Sequence, residues 1–235
     1  MSELYLIRHG QATFFEENYD KLSELGVRQS HELANFLLET DTRFSAVYAG
    51  GLQRQQHTAM IVRGVFEGAG KPLPELIIDP RFDELDAESI TADLGAELAR
   101  EVPQVAAWQA EAGHSKKAFQ KLLRASFQYW LERGDALHGM ESWPAFKGRV
   151  KAALESIKAR AGKGSRIAVF TSGGVIAAAM AAALGASDKL VYSFFEPVVN
   201  VSITRFLFNR EHYSPLSFNE HGFLRLVDRE LVTFR

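Results

Sequence analysis

An apolar run of Leu4, Tyr5, Leu6 and Ile7 ends in two residues that could do chemistry, Arg8 and His9, followed at once by Gly10. A buried strand entering solvent usually closes on a turn residue or a single charge, so the pair raises the prospect of a site. Other strand-like segments end comparably. "FSAVYAGGLQR" runs into Arg54 at the opening of a helix, "ELIIDPRFDEL" into Glu84, and "RIAVFTSGG" into Ser172 and paired glycines. In an open α/β sheet, ligands bind beyond the carboxyl ends of the strands, where the following helices also present their N-termini. Parallel, neighbouring strands would therefore bring all of these endings to one rim.

The chemistry such a rim suits is that of phosphate. Guanidiniums present planar forks that hold phosphoryl oxygens through charge-assisted bonds, and glycine-rich helix starts add backbone donors. Arg8 and Arg54 are the phosphate-binding candidates, with Ser172 as a third donor. His9 between them can attack phosphorus through one neutral ring nitrogen if the other gives its proton to a backbone carbonyl. A leaving alkoxide needs a proton, and Glu84 can supply it if burial or a neighbouring anion raises its pKa. Asp83 and Asp86 compete with Glu84 for that role on spacing alone. Gln11, in the loop after His9, is the substrate-binding candidate; Thr13 and Asn18 share that loop and read as solvated. Arg54 carries a further hint: a cation on a helix's first turn opposes the macrodipole, so an anion should lie nearby.

Composition narrows the rest. The chain has 235 residues, 46% hydrophobic and 24% charged, with a formal net charge of −2. That is ordinary for a globular domain and carries no polyanion-binding signature. The absence of cysteine removes disulfides and thiolate chemistry and favours a cytoplasmic location. Ile167 to Ser187 is uncharged and long enough to span a bilayer, but strand, glycine turn and alanine-rich helix account for it better. The expected partner is a small phosphorylated substrate, with neither nucleic acid nor membrane, and a homodimer left open. No metal and no cofactor is expected.

Strands and helices alternate from the start. A strand at about 3–8 precedes a helix at about 22–39, "FSAVYAG" precedes a helix closed by Gly70, and "ELIIDPRF" supplies a third strand stopped by Pro80. Residues 90–161 read as wholly helical, an insertion between sheet strands. Within it, "HSKKAFQKLLRASFQYWLERG" reads as an amphipathic helix with a solvated basic face, a basic lid over the pocket being the alternative. "RIAVF" resumes the sheet, and "VVNVSITRFLFN" with "YSPLSFNEHGFLRLV" reads as closing strands, partly antiparallel. The fold class is α/β: a three-layer sandwich with a mostly parallel sheet, forming one domain over 1–235.

These segments resemble the histidine phosphatase superfamily, also called phosphoglycerate mutase-like. "LIRHGQAT" is similar to its Arg-His-Gly signature, "YDKLSELGVRQSHELANFL" to the stretch that follows, and "VYAGGLQRQQHTAMIV" to the segment with the second phosphate arginine. "RFDEL" resembles the acid segment, "GMESWPAFKGRV" the Gly-Glu-Ser helix start with Met140 interposed, and "VFTSGGVIAAAM" the final motif. The resemblance implies a metal-independent phosphatase that works through phospho-His9 on a small phosphomonoester. A phosphomutase, and a binding protein of weak activity, remain as alternatives. Where the family has His-Gly-Gly, this chain has Ser172-Gly173-Gly174, and loss of a positioned donor commonly costs about 10²–10³ in rate. His57, His138 and His221 are the histidines that could fill the gap, and spacing does not choose among them.

Overall fold

The computed structural model describes residues 1–13, 20–133 and 139–234. Asn18 and His138 lie outside them. The described chain runs β1 (Ser2–Arg8), α1 (Glu24–Glu39), β2 (Ala46–Ala49), α2 (Gln53–Gly68) and β3 (Leu76–Ile78). It continues through α3 (Ala87–Ser89), α4 (Gly95–Glu101), α5 (Pro103–Glu111), α6 (Lys116–Arg133) and α7 (Trp143–Arg160). Then come β4 (Arg166–Thr171), α8 (Gly173–Leu184), α9 (Val191–Phe195), β5 (Ile203–Phe208), β6 (Tyr213–Glu220) and α10 (Gly222–Val227).

The strands form one sheet in the order β3-β2-β4-β1-β5-β6. β3, β2, β4 and β1 pair in parallel, whereas β5 pairs antiparallel with β1 and with β6. The sheet is therefore mixed, with both antiparallel pairings made by β5. Alternation within the strands makes the layers. Leu4 and Leu6 of β1, with Ile167 and Val169 of β4, face a core shared with α6, α7 and α8; Tyr5, Ile7, Ala168 and Phe170 face the one shared with α1, α2 and α10. The middle of β1, residues 4–7, is buried on both faces and is apolar throughout.

The uncharged run splits as its composition demands, into β4 and an α8 closed by Gly185 at φ 60°. No described helix is long and apolar enough to cross a membrane. The basic segment is the amphipathic helix α6, burying Leu122, Leu123, Phe127 and Trp130 and exposing Lys117, Lys121 and Arg124. One expectation fails: "FLRLV" does not extend the last strand. β6 stops at Glu220, next to Asn219 at φ 57°, and Gly222–Val227 turns into α10, docking Leu224 beneath α1.

The loop after β1 is held by close backbone approach. A Cβ on Gly26 would overlap the backbone of Gln11, and one on Gly10 would overlap the carbonyl of Gly26. Gly26→Ala is therefore expected to destabilise the protein by roughly 1–3 kcal/mol in chemical denaturation. Gly64→Ala, exposed on α2 with open space around it, should be neutral or stabilising by about 0.5–1 kcal/mol. Equal behaviour of the two variants would refute the close-packed loop.

Candidate active site

His9 follows the last residue of β1, and its ring is 5% exposed. Its Nδ1 lies 2.7 Å from the carbonyl oxygen of Gly10, to which it donates when protonated. The opposite nitrogen, Nε2, accepts from Arg54 Nε at 3.2 Å. Burial, then the charges of Arg54 and Arg8, hold the His9 pKa well below its usual 6.5, with the Gly10 carbonyl opposing them weakly. His9 is thus a neutral imidazole in one tautomer, its unprotonated nitrogen turned toward a guanidinium.

The surrounding chain fixes this pose. The His9 carbonyl accepts from Asn200 Nδ2 at 3.1 Å and from the Val201 amide at 3.3 Å, and the His9 amide donates to Thr171. Val201 is β-branched yet sits at φ 53°, a strained backbone held by its neighbours at the site. Gly10 N donates to the buried hydroxyl of Thr58 at 3.0 Å, and Thr58 donates in turn to the Arg54 carbonyl at 2.7 Å. One threonine on α2 thereby ties the histidine loop to the turn that carries Arg54.

Arg54 is buried at the start of α2, whose N-cap, Leu52, offers no side-chain acceptor. The acceptor comes from Asp20: Oδ2 takes the Gln53 amide at 2.7 Å, and Oδ1 takes Arg54 Nη1 at 2.8 Å. The anion that the position of Arg54 called for is an aspartate of this chain. Arg8, at the end of β1, donates Nη1 to the carbonyls of Val198 and Phe234, the latter at 2.7 Å. Its charge acts on both His9 and Glu84.

Glu84 lies across from the arginines. Its Oε1 accepts from the amides of Leu85 and Gly174, both at 3.0 Å, the second being at the start of α8. Burial pushes its carboxyl above the ordinary value; the Gly174 amide and the Arg54 charge oppose the rise without cancelling it. The Phe195 ring and the Glu84 carboxylate both border Gly173. Asp83 is turned away to the Gly51 amide, and Asp86 caps α3 through Ser89. Glu84 is the carboxylic acid that shares the arginines with His9. The backbone before it is gripped by Arg149, which donates to the carbonyls of Arg81 at 2.9 Å and Asp83 at 2.8 Å while pairing with Glu141.

Ser172 is fully buried at the N-terminus of α8 and does not cap it. Its Oγ accepts from Gln55 Nε2 at 2.8 Å, and Gln55 also reaches the Phe82 carbonyl. Gln11 spends its side-chain oxygen on Ser23 Oγ at 3.0 Å, bracing the start of α1. His57 is exposed on α2 while Arg54 and Thr58 are buried, so the helical turn between them does not carry it into the site. His221 bonds the Asn219 carbonyl at the edge of the sheet. Sequence reasoning missed Asp20, Gln55, Thr58, Arg149 and Asn200. Of these, Thr58 carried a readable signal, one helical turn from Arg54.

A model of the histidine phosphatase superfamily (branch 1) matches residues 4–221. No curated protein sequence gives a significant match. Among solved structures, a phosphoglycerate mutase from Bacillus anthracis superposes with a TM-score of 0.67 at 21% identity, covering 95% of each chain. Bacillus stearothermophilus YhfR gives 0.68 at 21% identity over 95% of this chain and 100% of that one. A phosphoserine phosphatase from Entamoeba histolytica, in complex with phosphoserine, gives 0.64 at 19% identity over 95% and 100%. At these identities the superpositions establish the fold.

A Cβ at position 174 would overlap the Glu84 carboxylate. Gly174→Ala is expected to push that carboxylate and the Leu85 side chain away from the start of α8 while folding persists, as read by a crystal structure and circular dichroism of the variant. A carboxylate still bonded to the residue-174 amide would refute the close contact.

Proposed function

Because the chain belongs to the histidine phosphatase superfamily, we propose that it hydrolyses a small phosphomonoester by way of a phosphohistidine on His9. The observation that carries this reading is the pose of His9: Nδ1 on the Gly10 carbonyl, Nε2 toward Arg54, and Glu84 under the influence of the same two arginines. Arg8 and Arg54 bind the phosphoryl oxygens and stabilise the charge that grows on them. The His9 Nε2 lone pair attacks phosphorus, the P–O ester bond breaks, and the departing alkoxide takes the Glu84 proton. Glu84, now a carboxylate, accepts a proton from water as its oxygen attacks the phosphohistidine. The N–P bond breaks, and inorganic phosphate and neutral His9 are restored.

Two features set the expected range. Ser172 offers a hydroxyl where the family resemblance leads one to expect an imidazole, and Gln55 already engages it, so turnover is slow for the fold. The leaving group passes Phe195, beside Glu84 at the start of α8. A cytoplasmic site of action fits a chain without cysteine.

The pH profile follows from the two shifts. Attack needs His9 neutral, and its lowered pKa puts the acidic limb of kcat/KM well below 6.5. Alcohol departure needs Glu84 protonated, and its raised pKa puts the alkaline limb above 4.5. Glu84→Gln should abolish the alkaline limb and lower kcat by about 10²–10⁴. His9→Ala should abolish turnover and the mass increase of one phosphoryl group in quenched enzyme. Hydrolysis that survives His9→Ala across a panel of phosphomonoesters would refute the proposal. Isomerisation of a phosphorylated sugar acid without phosphate release would replace it with a phosphomutase.

A further inference from the structure

The Asp20 carboxylate occupies the corner where a substrate phosphoryl group would meet Arg54. It bonds the Gln53 amide at 2.7 Å, lies 3.4 Å from the Arg54 amide, and pairs with Arg54 Nη1 at 2.8 Å. These are the donors that a helix N-terminus and a guanidinium offer to an oxyanion. The ion pair is largely enclosed, with side-chain exposures of 9% for Arg54 and 29% for Asp20. The same guanidinium directs its Nε at the His9 nitrogen that must attack. With Nη1 on Asp20 and Nε on His9, Arg54 is bound in a resting arrangement from both ends.

We propose that Asp20 is a built-in competitor for the phosphate corner, which the incoming phosphoryl group displaces from Arg54 and the start of α2. The proposal rests on the functional reading above and adds a residue that sets anion affinity. A phosphomonoester carries more negative charge than a carboxylate and presents more acceptor oxygens, so it can win the exchange. Its arrival also redirects Arg54 from the His9 nitrogen to the phosphoryl oxygens, freeing the lone pair for attack. An anion that fails to displace Asp20 leaves His9 covered. Asp83, which also feels both Arg54 and Asp20, is anchored to Gly51 and cannot make the same exchange.

The test measures binding of inorganic phosphate and of vanadate by calorimetry to the wild-type protein, Asp20→Asn and Arg54→Ala. Asparagine keeps the oxygen that accepts from the Gln53 amide, so the protein should still fold, with a modest fall in Tm from the lost ion pair. Loss of the charge should tighten both anions by about 5- to 30-fold, the range that a partly enclosed ion pair and a helix-terminus interaction together supply. Arg54→Ala should weaken them. Unchanged or weaker binding in Asp20→Asn, with wild-type binding that depends on Arg54, overturns the competitor role and leaves the functional reading standing. Failure of the wild-type protein and of Asp20→Asn to bind either anion overturns both.

Discussion

The contact between Arg54 Nε and His9 Nε2 is the constraint around which the site is built. A guanidinium against an imidazole nitrogen is tolerable only if the imidazole is neutral, and burial beside a second arginine enforces this. Neutrality is also the state that the proposed attack on phosphorus requires. The geometry depends in turn on β1 and β4 being parallel neighbours, with β2 beyond β4, so that three chain segments release their next residues at one rim. The strained turn at Val201 and the Thr58 link hold what the strands deliver.

Carboxylates around Arg54 are kept distinct by how each is anchored. Glu84 rests on amides at the start of α8 against an aromatic ring, where desolvation favours its protonated form. Asp83, its neighbour in sequence, accepts from the Gly51 amide and serves the Gly50-Gly51 turn. Successive side chains of that segment thus go to different backbone donors. Arg149 of α7 holds the carbonyls of the segment while pairing with Glu141 and lying over the Phe146 ring. The helices between β3 and β4 therefore reach the segment that carries Glu84. Asp20, close to the ion it pairs with and to a helix start, completes the set without touching the acid.

The last motif is tied down from α2. Ser172 is buried at the start of α8, and its hydroxyl accepts from the Gln55 amide, which also reaches the Phe82 carbonyl. Both partners of this bond are neutral and buried.

The strand-helix alternation, the split of the uncharged run at the paired glycines and the convergence of His9, Arg8, Arg54 and Glu84 were legible along the chain. Each follows from a local pattern: apolar period, turn residues, or charge at the end of a buried strand. The parallel part of the sheet followed from the same alternation, whereas the end of the C-terminal hairpin did not, because "FLRLV" suits a strand or a short helix and docking on α1 chose the helix. What no local pattern could reveal is which distant polar groups complete the site. Asp20 meets Arg54, Gln55 meets Ser172, and Asn200 meets the His9 carbonyl across long stretches of chain. The failure of His57 to enter has the same origin. Sequence spacing defines neighbours on a helix, but only packing against the sheet decides which side of α2 is buried. Hydrogen-bond partners of buried polar groups are chosen by proximity in the folded core, where an unmade bond is costly, and proximity there belongs to the tertiary structure.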